Sequence, residues 1–555
     1  MNDIKIGFFG GVDEFGENLT CYYDKQDGFL VDFGAMFPDF YHHGVTYFYP
    51  DYDFILKNYE KFKVLIVTHG HEDHIGGIVN LINRMPLRII ASRFTIALIK
   101  KKISFSRKIN FYPTFEVAED LSEYEIGNFN VKFIENDHSI IDSYSLRISN
   151  NNVNIFHSSD FKIDENSIKT EKFLKNLNKY CKKTDIALID STNANIDYDI
   201  NLSESDVINS IENIIIESKK NIFITMFSSN IERILNIVNT INKLDFPLVL
   251  LGRSIDKYIT LAEESDIRIN RKNIITITEY NELLNENQNI EEPENLKVIF
   301  IIAGSQGELT SALTSISYNQ YKGVYINKGD TVIYSSKTIP GNEKDIFKVK
   351  NQLLKKGAIL KSIKTDDNIH ASGHANAEGI IKVLNILQPK NLIPIHGTLF
   401  QQKALESIAS ELKIKKILIP IIGDIFKYSK SNLKRYKNIE LDKKFLDITG
   451  FDDMDYRLLK KRDNLKLGIA IISLIIDKKD YFVFKRPIIK IEGFVDEKHN
   501  KIIMEKVEEV IFKSIEKIDL SKKDLLEIEL TLKIKRFFRK NYNISPKLFI
   551  LVDYI

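Results

Sequence analysis

The chain has 555 residues, with 78 lysines and arginines against 76 aspartates and glutamates, for a formal charge of +2. That length exceeds what one hydrophobic core fills, so about two to four domains are predicted. The near-neutral balance excludes a histone-like polybasic binder and confines any nucleic-acid surface to a local patch. The two cysteines, Cys21 and Cys181, make neither a disulfide scaffold nor a metal pair, which fits a reducing cytoplasm. The opening MNDIKIGFFGG has no basic segment leading into a long apolar stretch. The longest apolar run, LGIAIISLII, is half the ~20 residues a spanning helix needs. The expectation is a soluble, cytoplasmic protein with no membrane partner.

From Ile4 to about Lys63 the pattern is short β-rich runs separated by turns, KIGFFGG, LTCYY and GFLVDFG. KVLIVT then feeds a histidine-rich turn, and HIGGIVNLINRM continues with helical spacing. LRIIAS, NVKFIEN, YSLRIS and VNIFHSSD read as further strands. This mixture predicts a layered α/β domain. At LSESDVINSIENIIIESKK the texture changes: Ser203 reads as a helix N-cap, with Ile208, Ile211 and Ile215 on one face. Strand, small-residue loop and helix then repeat through NIFITMF, PLVLLG, VIFIIAG and DTVIYSS, as in a parallel Rossmann-like sheet whose ligands sit at strand C-termini. IKVLNILQPKNLIPIHG resumes helix and strand beside another histidine. The polar stretch Lys427–Asn438 reads as a connection. Asp447 to Ile555 reads as a small α/β domain of two strand-like runs, a helix and a terminal strand.

The densest chemistry lies in VTHGHEDHIGGI, residues 67–78, where three histidines, an aspartate and a glutamate follow an apolar run. The strand before it and Gly76-Gly77 after it make a positioned loop rather than a histidine-rich surface loop. His69 and His71, two apart on a turn, can converge on one ion, while the adjacent Asp73-His74 pair is angled toward a second. Imidazole and carboxylate donors suit zinc, and manganese tolerates the same set. Further candidates stand at strand ends: His138, Asp160 and His396, with His370 and His374 in the small-residue stretch HASGHA. His42, His43, His157 and His499 are assigned surface or hydrogen-bonding roles.

The H-x-H-x-D-H loop is the signature of the metallo-β-lactamase superfamily. With GGVDEFGEN, VDFGAMFP, DHSIIDS, SDFKID, DSTNA, FSSNIERI, GRS, GSQGE, SSKTIPGNE, HASGHA and PIHG, the chain resembles ribonuclease J of the β-CASP subgroup, in order through about 400 residues and loosely into GFVDEKHN. The resemblance implies a metallo-β-lactamase αββα sandwich with an inserted Rossmann-like β-CASP domain and a small C-terminal α/β domain. The boundaries expected are 1–202 and 376–430 for the two parts of the sandwich, 203–375 for the insert, 431–446 for a linker and 447–555 for the C-terminal domain. It also implies one divalent metal on His69, His71 and His138, a second on Asp73, His74 and His396, and Asp160 bridging them. Asp32 becomes the supporting acid of the first motif, and Asp190, His374 and His396 match the three β-CASP motifs; histidine at 396 resembles the RNA-acting members. His374 is then expected to steady a phosphate oxygen or protonate the leaving oxygen.

The sequence departs from the family pattern at three positions. Thr398 stands where glutamate is usual, Ser159 replaces the glycine before Asp160, and Thr46 occupies a position where some relatives offer an aspartate to calcium, so no calcium is expected. Ser228, Ser229 and Asn230, at a helix start, and His370, Ala371, Ser372, Gly373 and His374 are expected by resemblance to hold a 5′-monophosphate. The implied activity is 5′-to-3′ exonuclease and endonuclease cleavage of RNA in mRNA decay and rRNA maturation, by a homodimer or homotetramer joined through the C-terminal domain, with or without a paralogue. A small-molecule hydrolase of the same superfamily is the alternative, opposed by an insert no small substrate needs. A non-catalytic subunit of an RNA-degrading complex is the other, opposed by the complete ligand set. The basic runs KKK at 100–102 and KIKRFFRK at 533–540 are expected to be solvated faces of structural elements.

Overall fold

A computed structural model describes residues 3–38, 44–106, 108–196, 202–287, 297–339, 341–363, 368–450, 456–465, 468–493, 497–542 and 546–555. The chain divides into two compact units, Met1–Phe40 with Thr46–Leu446, and Tyr41–Val45 with Asp447–Ile555.

The first unit contains two large sheets and a third, inserted one. An eight-stranded sheet runs, in spatial order, Asn432–Asn438, Asp424–Ser429, Ile4–Gly10, Leu19–Tyr23, Gly28–Val31, Val64–Ile66, Arg88–Ala91 and Thr114–Val117. A seven-stranded sheet runs Lys416–Ile417, Asn391–Ile395, Ile186–Asp190, Val153–His157, Tyr144–Asn150, Phe129–Glu135 and Glu123–Ile126. Ile6, Phe8, Phe29 and Ile66 of the first sheet share one buried cluster with Phe133, Leu146, Ile155, Leu188 and Ile393 of the second, the filling of a sandwich. The outer face of the first sheet is covered by Ile78, Leu81, Phe94 and Ile99 of its helices, and that of the second by Phe173, Leu177, Ile380 and Leu384 of helices Ile168–Tyr180 and Ala377–Leu387. This is the αββα layering expected.

Helix Glu204–Glu217 opens the insert with Ser203 as N-cap; its hydroxyl accepts from the Asp206 N–H, and the Asp206 carboxylate returns the bond to the Ser203 N–H. Val207, Ile211 and Ile215 are buried and Ile208 is half-buried, so the apolar face is the one the spacing indicated. The six strands of the insert, in the order Ile274–Ile275, Leu248–Leu251, Ile299–Ile302, Ile222–Thr225, Thr331–Tyr334 and Ile359–Ser362, are all parallel. Both faces are apolar, which is why the strands read as unbroken hydrophobic runs.

Two expectations are corrected. The stretch Lys427–Asn438, read as a connection and in part as the 431–446 linker, instead completes a hairpin on the edge of the eight-stranded sheet. Its turn is made by Lys430 and Ser431, both left-handed at φ 49° and 59°, without the Asn-Gly signal that usually marks such a turn. Only Leu433 of the outer strand is buried, while Lys434, Arg435 and Lys437 are exposed, as suits an edge that must not recruit another strand. In the second unit, strands Ile488–Glu492, Ile469–Ile476 and Lys547–Tyr554 form a three-stranded sheet. Besides helix Glu497–Ile515 there is a second long helix, Lys523–Tyr542. KIKRFFRK lies on that helix with Ile534 and Phe538 buried, so its bases are a solvated face. Lys100 and Lys101 are likewise exposed near a helix end, and Lys102 pairs with Glu72.

Candidate active site

Five strands, Val64–Ile66, Phe129–Glu135, Val153–His157, Ile186–Asp190 and Asn391–Ile395, deliver their following residues to one edge of the sandwich. His69, His138, Asp160, Asp190 and His396 lie at or within three residues of these C-terminal ends. Four of these strands sit in parallel pairings, which bring their C-terminal ends to one edge, and Phe129–Glu135 joins them through antiparallel neighbours.

Two four-residue donor groups share one carboxylate, His69, His71, His138 and Asp160, and Asp73, His74, Asp160 and His396, and a third group, Asp190, His374 and His396, shares His396 with the second. In the first, His69 Nε2 and His138 Nε2 each lie 3.1 Å from His71 Nδ1, and both are 3.7 Å from Asp160 Oδ2. In the second, the same Oδ2 lies 3.3 Å from His74 Nε2 and 3.6 Å from His396 Nε2. Asp73 Oδ2 stands 3.0 Å from His396 Nε2 and 3.5 Å from His74 Nε2.

Four of the imidazoles are aimed by a bond at the other nitrogen, the arrangement that orients a metal-binding histidine. His74 Nδ1 donates to Asp32 Oδ2 at 2.8 Å, and His138 Nδ1 to the Gly373 carbonyl at 2.5 Å. His69 Nδ1 donates to Thr68 Oγ1 at 3.1 Å, and His396 Nδ1 to Thr192 Oγ1 at 2.7 Å. The Nε2 atoms of His69 and His138 are therefore lone pairs. His71 has at most one proton at Nδ1 and cannot serve both, whereas one cation satisfies all three nitrogens. Asp160 Oδ1 is buried with no hydrogen-bond partner in the protein. The donor set thus fits divalent metal, three imidazoles and a carboxylate on one side and two of each on the other.

Burial holds His69 and His138 well below the usual imidazole pKa and His71 at about 4, so all three are neutral at pH 7. At His74 and His396 burial works the same way but is outweighed by the surrounding carboxylates, Asp160 foremost, which lift His396 to about 9. A cation bound there competes with protons.

Three site residues adopt left-handed backbone: Asp32 at φ 61°, Ser159 at 52° and His396 at 53°. Such conformations cost about 1–3 kcal/mol each and persist where surrounding bonds hold them. Ser159 stands where a glycine was expected by resemblance, and its Oγ donates to Thr68 Oγ1 at 2.8 Å. Asp32 belongs to neither donor group; it accepts from the Thr68 N–H, the Thr68 hydroxyl and His74, which makes it the anchor of the loop.

On the other side of the site, Asp190 Oδ2 accepts from His374 Nδ1 at 2.7 Å, and its Oδ1 accepts from the Thr192 hydroxyl at 2.6 Å. The His374 ring lies 5.1 Å from that of His138 and 5.3 Å from that of His396. Burial works to lower the His374 pKa, but the charge and hydrogen bond of Asp190 prevail and raise it. The side chain keeps 21% exposure.

The expected phosphate-site residues divide. Ser372 Oγ accepts from Asn193 Nδ2 at 2.8 Å and from the His374 N–H at 3.3 Å. Asn230 Oδ1 caps its helix on the Arg233 N–H, Ser228 bonds Ser254 at 2.8 Å, and Ser229 is half-buried. His370 and Ala371 are bound by Arg233 through Nδ1 and the backbone carbonyl. Of the expected phosphate-site residues, only His374 belongs to a metal-donor group among the described residues, with Asp190 and His396. His157 bonds Tyr22, as assigned. His42, His43 and the His499 side chain lie outside the described residues. Asn18, Thr68, Thr192 and Arg233 were not singled out from the sequence; Asn18 Nδ2 contacts the Asp73 carbonyl and His74 Nε2 at 3.0 and 3.1 Å.

Family models match the chain almost end to end: a beta-lactamase superfamily domain at 29–219, a ribonuclease J beta-CASP domain at 219–353, a Zn-dependent metallo-hydrolase RNA specificity domain at 362–420 and a ribonuclease J C-terminal domain at 458–553. Ribonuclease J of Mycoplasma pneumoniae is 30% identical over 415 residues, 74% of this chain and 70% of that protein.

The chain belongs to the ribonuclease J family.

Ribonuclease J of Mycoplasma genitalium is 27% identical across 99% of this chain and 97% of its own, and ribonuclease J2 of Bacillus subtilis is 28% identical across 89% and 87%. A solved Enterococcus faecalis V583 protein of unknown function shares the fold at a TM-score of 0.56 and 16% identity, covering 77% of this chain and 100% of that one. Ribonuclease J membership gives the site its chemistry: hydrolysis of RNA phosphodiester bonds by a metallo-β-lactamase-type enzyme, with His and Asp groups suited to divalent metal. Among the described residues no helix is long and apolar enough to cross a membrane.

Proposed function

We propose that the protein degrades RNA from a 5′-monophosphorylated end in the 5′-to-3′ direction and also cuts internally, using two divalent ions, zinc foremost with manganese as the alternative. The reading places it in the cytoplasm, in mRNA decay and rRNA maturation. It assigns metal binding to His69, His71, Asp73, His74, His138, Asp160 and His396, and boundaries at 1–202, 203–375 and 376 onward, with 447–555 as the C-terminal domain. The observation that carries it is the shared carboxylate. One Asp160 oxygen faces both donor groups, and His374 stands beside them on Asp190.

Two divalent ions, when bound, neutralise the attacking and leaving oxygens of a phosphodiester. The protein's residues supply the rest. His74, His138 and His396 are aimed by Asp32, Gly373 and Thr192, which fixes where the scissile phosphate is centred. Asp190 holds His374 by Nδ1 and keeps Nε2 directed outward as the proton donor to the leaving 3′ oxygen. Ser229 and Ser372, with the N-terminus of helix Ile231–Leu244, receive the terminal phosphate.

Self-association, as a homodimer or homotetramer with or without a paralogue, is assigned to the C-terminal sheet. Ile471 and Phe549 sit directly opposite each other and are exposed, as are Ile488 and Leu551 on either side of Ser473. An apolar face of this kind on a solvated sheet marks an interface.

The test is a digestion panel: 5′-monophosphorylated RNA, 5′-triphosphorylated RNA, DNA and a thioester. Mononucleotide release from the first, with internal cuts alone in the second, is expected. The double substitution Ser229→Ala/Ser372→Ala should slow that release about tenfold or more, since each bond to a charged group contributes roughly 1.5–3 kcal/mol, and spare internal cleavage. Parallel loss of both activities would assign the serines to the general scaffold.

A further inference from the structure

Arg233 stands in the first turn of helix Ile231–Leu244, yet it is 1% exposed, the largest fully buried side chain among the described residues. A buried guanidinium is tolerated only when its donors are met, and here all five N–H groups are. Nε donates to Glu204 Oε2 at 2.9 Å, and Nη2 to Glu204 Oε1 at 2.7 Å and the Ala371 carbonyl at 3.0 Å. Nη1 donates to the Ser335 carbonyl at 3.0 Å and to His370 Nδ1 at 2.9 Å. The Ser335 hydroxyl in turn donates to the Ile369 carbonyl at 2.7 Å.

These acceptors come from three separate segments: the N-terminus of helix Glu204–Glu217, the end of strand Thr331–Tyr334 and the loop Ile369–Ala371. Arg233's own backbone N–H donates to the capping Asn230 Oδ1 at 3.1 Å, so the Ser228–Asn230 turn is tied to the same residue. The network reaches the metal side as well. Glu204 Oε1 lies 3.4 Å from Lys162 Nζ, which lies 3.5 Å from Asp137 Oδ1, the neighbour of His138. With every donor occupied, the guanidinium has none left for a phosphate and cannot itself be the ligand.

We propose that Arg233 is the positioning residue of the 5′-phosphate pocket, holding the Ser228–Asn230 turn and the His370–Gly373 loop in one register so that preference for a 5′-monophosphate depends on it. This rests on the pocket reading above. It accounts for His370: burial and then the Arg233 charge hold its pKa at about 3, so it is a neutral acceptor rather than a cation facing substrate. Glu204, despite burial, is held at about 2 by Arg233 and Lys162, and the network therefore persists throughout the neutral pH range.

The test uses the full chain with Arg233→Lys, which keeps a positive charge but cannot present a planar five-donor fork, and Ser335→Ala, which removes only a hydroxyl. For matched 5′-monophosphorylated and 5′-hydroxyl RNAs, the ratio of kcat/KM should fall about tenfold in Arg233→Lys and roughly threefold in Ser335→Ala. The change should lie in KM for the monophosphorylated RNA. Metal content and internal cleavage of triphosphorylated RNA should hold. An unchanged ratio in the folded variants, or equal loss on both RNAs, overturns the positioning role, and if Arg233→Lys does not fold, Ser335→Ala decides alone. If Ser229→Ala/Ser372→Ala leaves the ratio untouched, the pocket reading fails and the role with it. If that double variant abolishes the ratio while Arg233→Lys and Ser335→Ala keep it, only the role of Arg233 fails.

Discussion

His138 Nδ1 bonds the carbonyl of Gly373 at 2.5 Å across 235 positions of sequence, so the loop that carries Ser372 and His374 also sets the orientation of a histidine of the first donor group. A Cβ at Gly373 would stand 2.5 Å from Ser139 Oγ and 3.0 Å from His138 Cε1, too close to accept without a shift. Gly373→Ala should therefore lower metal affinity about tenfold or more, the usual cost of disturbing an outer partner of a ligand. Competition with a chelator measures it, and an unaltered affinity would mean that the carbonyl does not orient the ring.

Glu17 is buried beside Glu14; burial first and the Glu14 charge second push its pKa up to about 8. A folded-state pKa raised above the ordinary 4.5 favours the protonated form in the native state. Its contribution to stability is present below about 4.5 and is lost as pH rises through about 8. Glu17→Gln keeps the shape without the proton, so it should melt a few degrees above the parent at pH ~9 and level with it at pH ~4. Thermal melts across that window check the sign; a parent whose stability rises over the window contradicts it.

Phe549→Lys/Leu551→Lys alters side chains that are 44% and 54% exposed, so the fold of the C-terminal unit should persist. Light scattering should show a smaller particle at equal concentration. An unchanged mass would place self-association elsewhere.

Much of this was legible because the chemistry sits at strand ends. His69, Asp160, Asp190 and His396 each follow an apolar run, and a run ending in a ligand residue is a local pattern. The edge hairpin at Lys427–Asn438 was hidden because Lys430 and Ser431 take left-handed backbone without the residues that advertise it, and because an edge strand with one buried leucine has no alternation to read. Helix Lys523–Tyr542 buries Leu526, Leu530, Ile534 and Phe538 at four-residue spacing, a stripe obscured by the bases between them. Arg233 in NIERILNIV looks like any solvated helical charge; only acceptors 29 to 138 positions away make it interior. Asn18, Thr68 and Thr192 escaped for the same reason, since their work depends on which ring the fold sets beside them.

The most direct measurement counts zinc and manganese per chain in the parent, His71→Ala and Asp73→Ala, alongside the rate of RNA hydrolysis. His71 belongs to one donor group and Asp73 to the other, and ligand removal without loss of fold is expected because both act at the surface of the site rather than in its core. The parent should hold about two ions, each variant about one fewer, and hydrolysis in both should fall to background. Full hydrolysis in either folded variant, or full activity with no metal retained, would contradict a binuclear site built on Asp160.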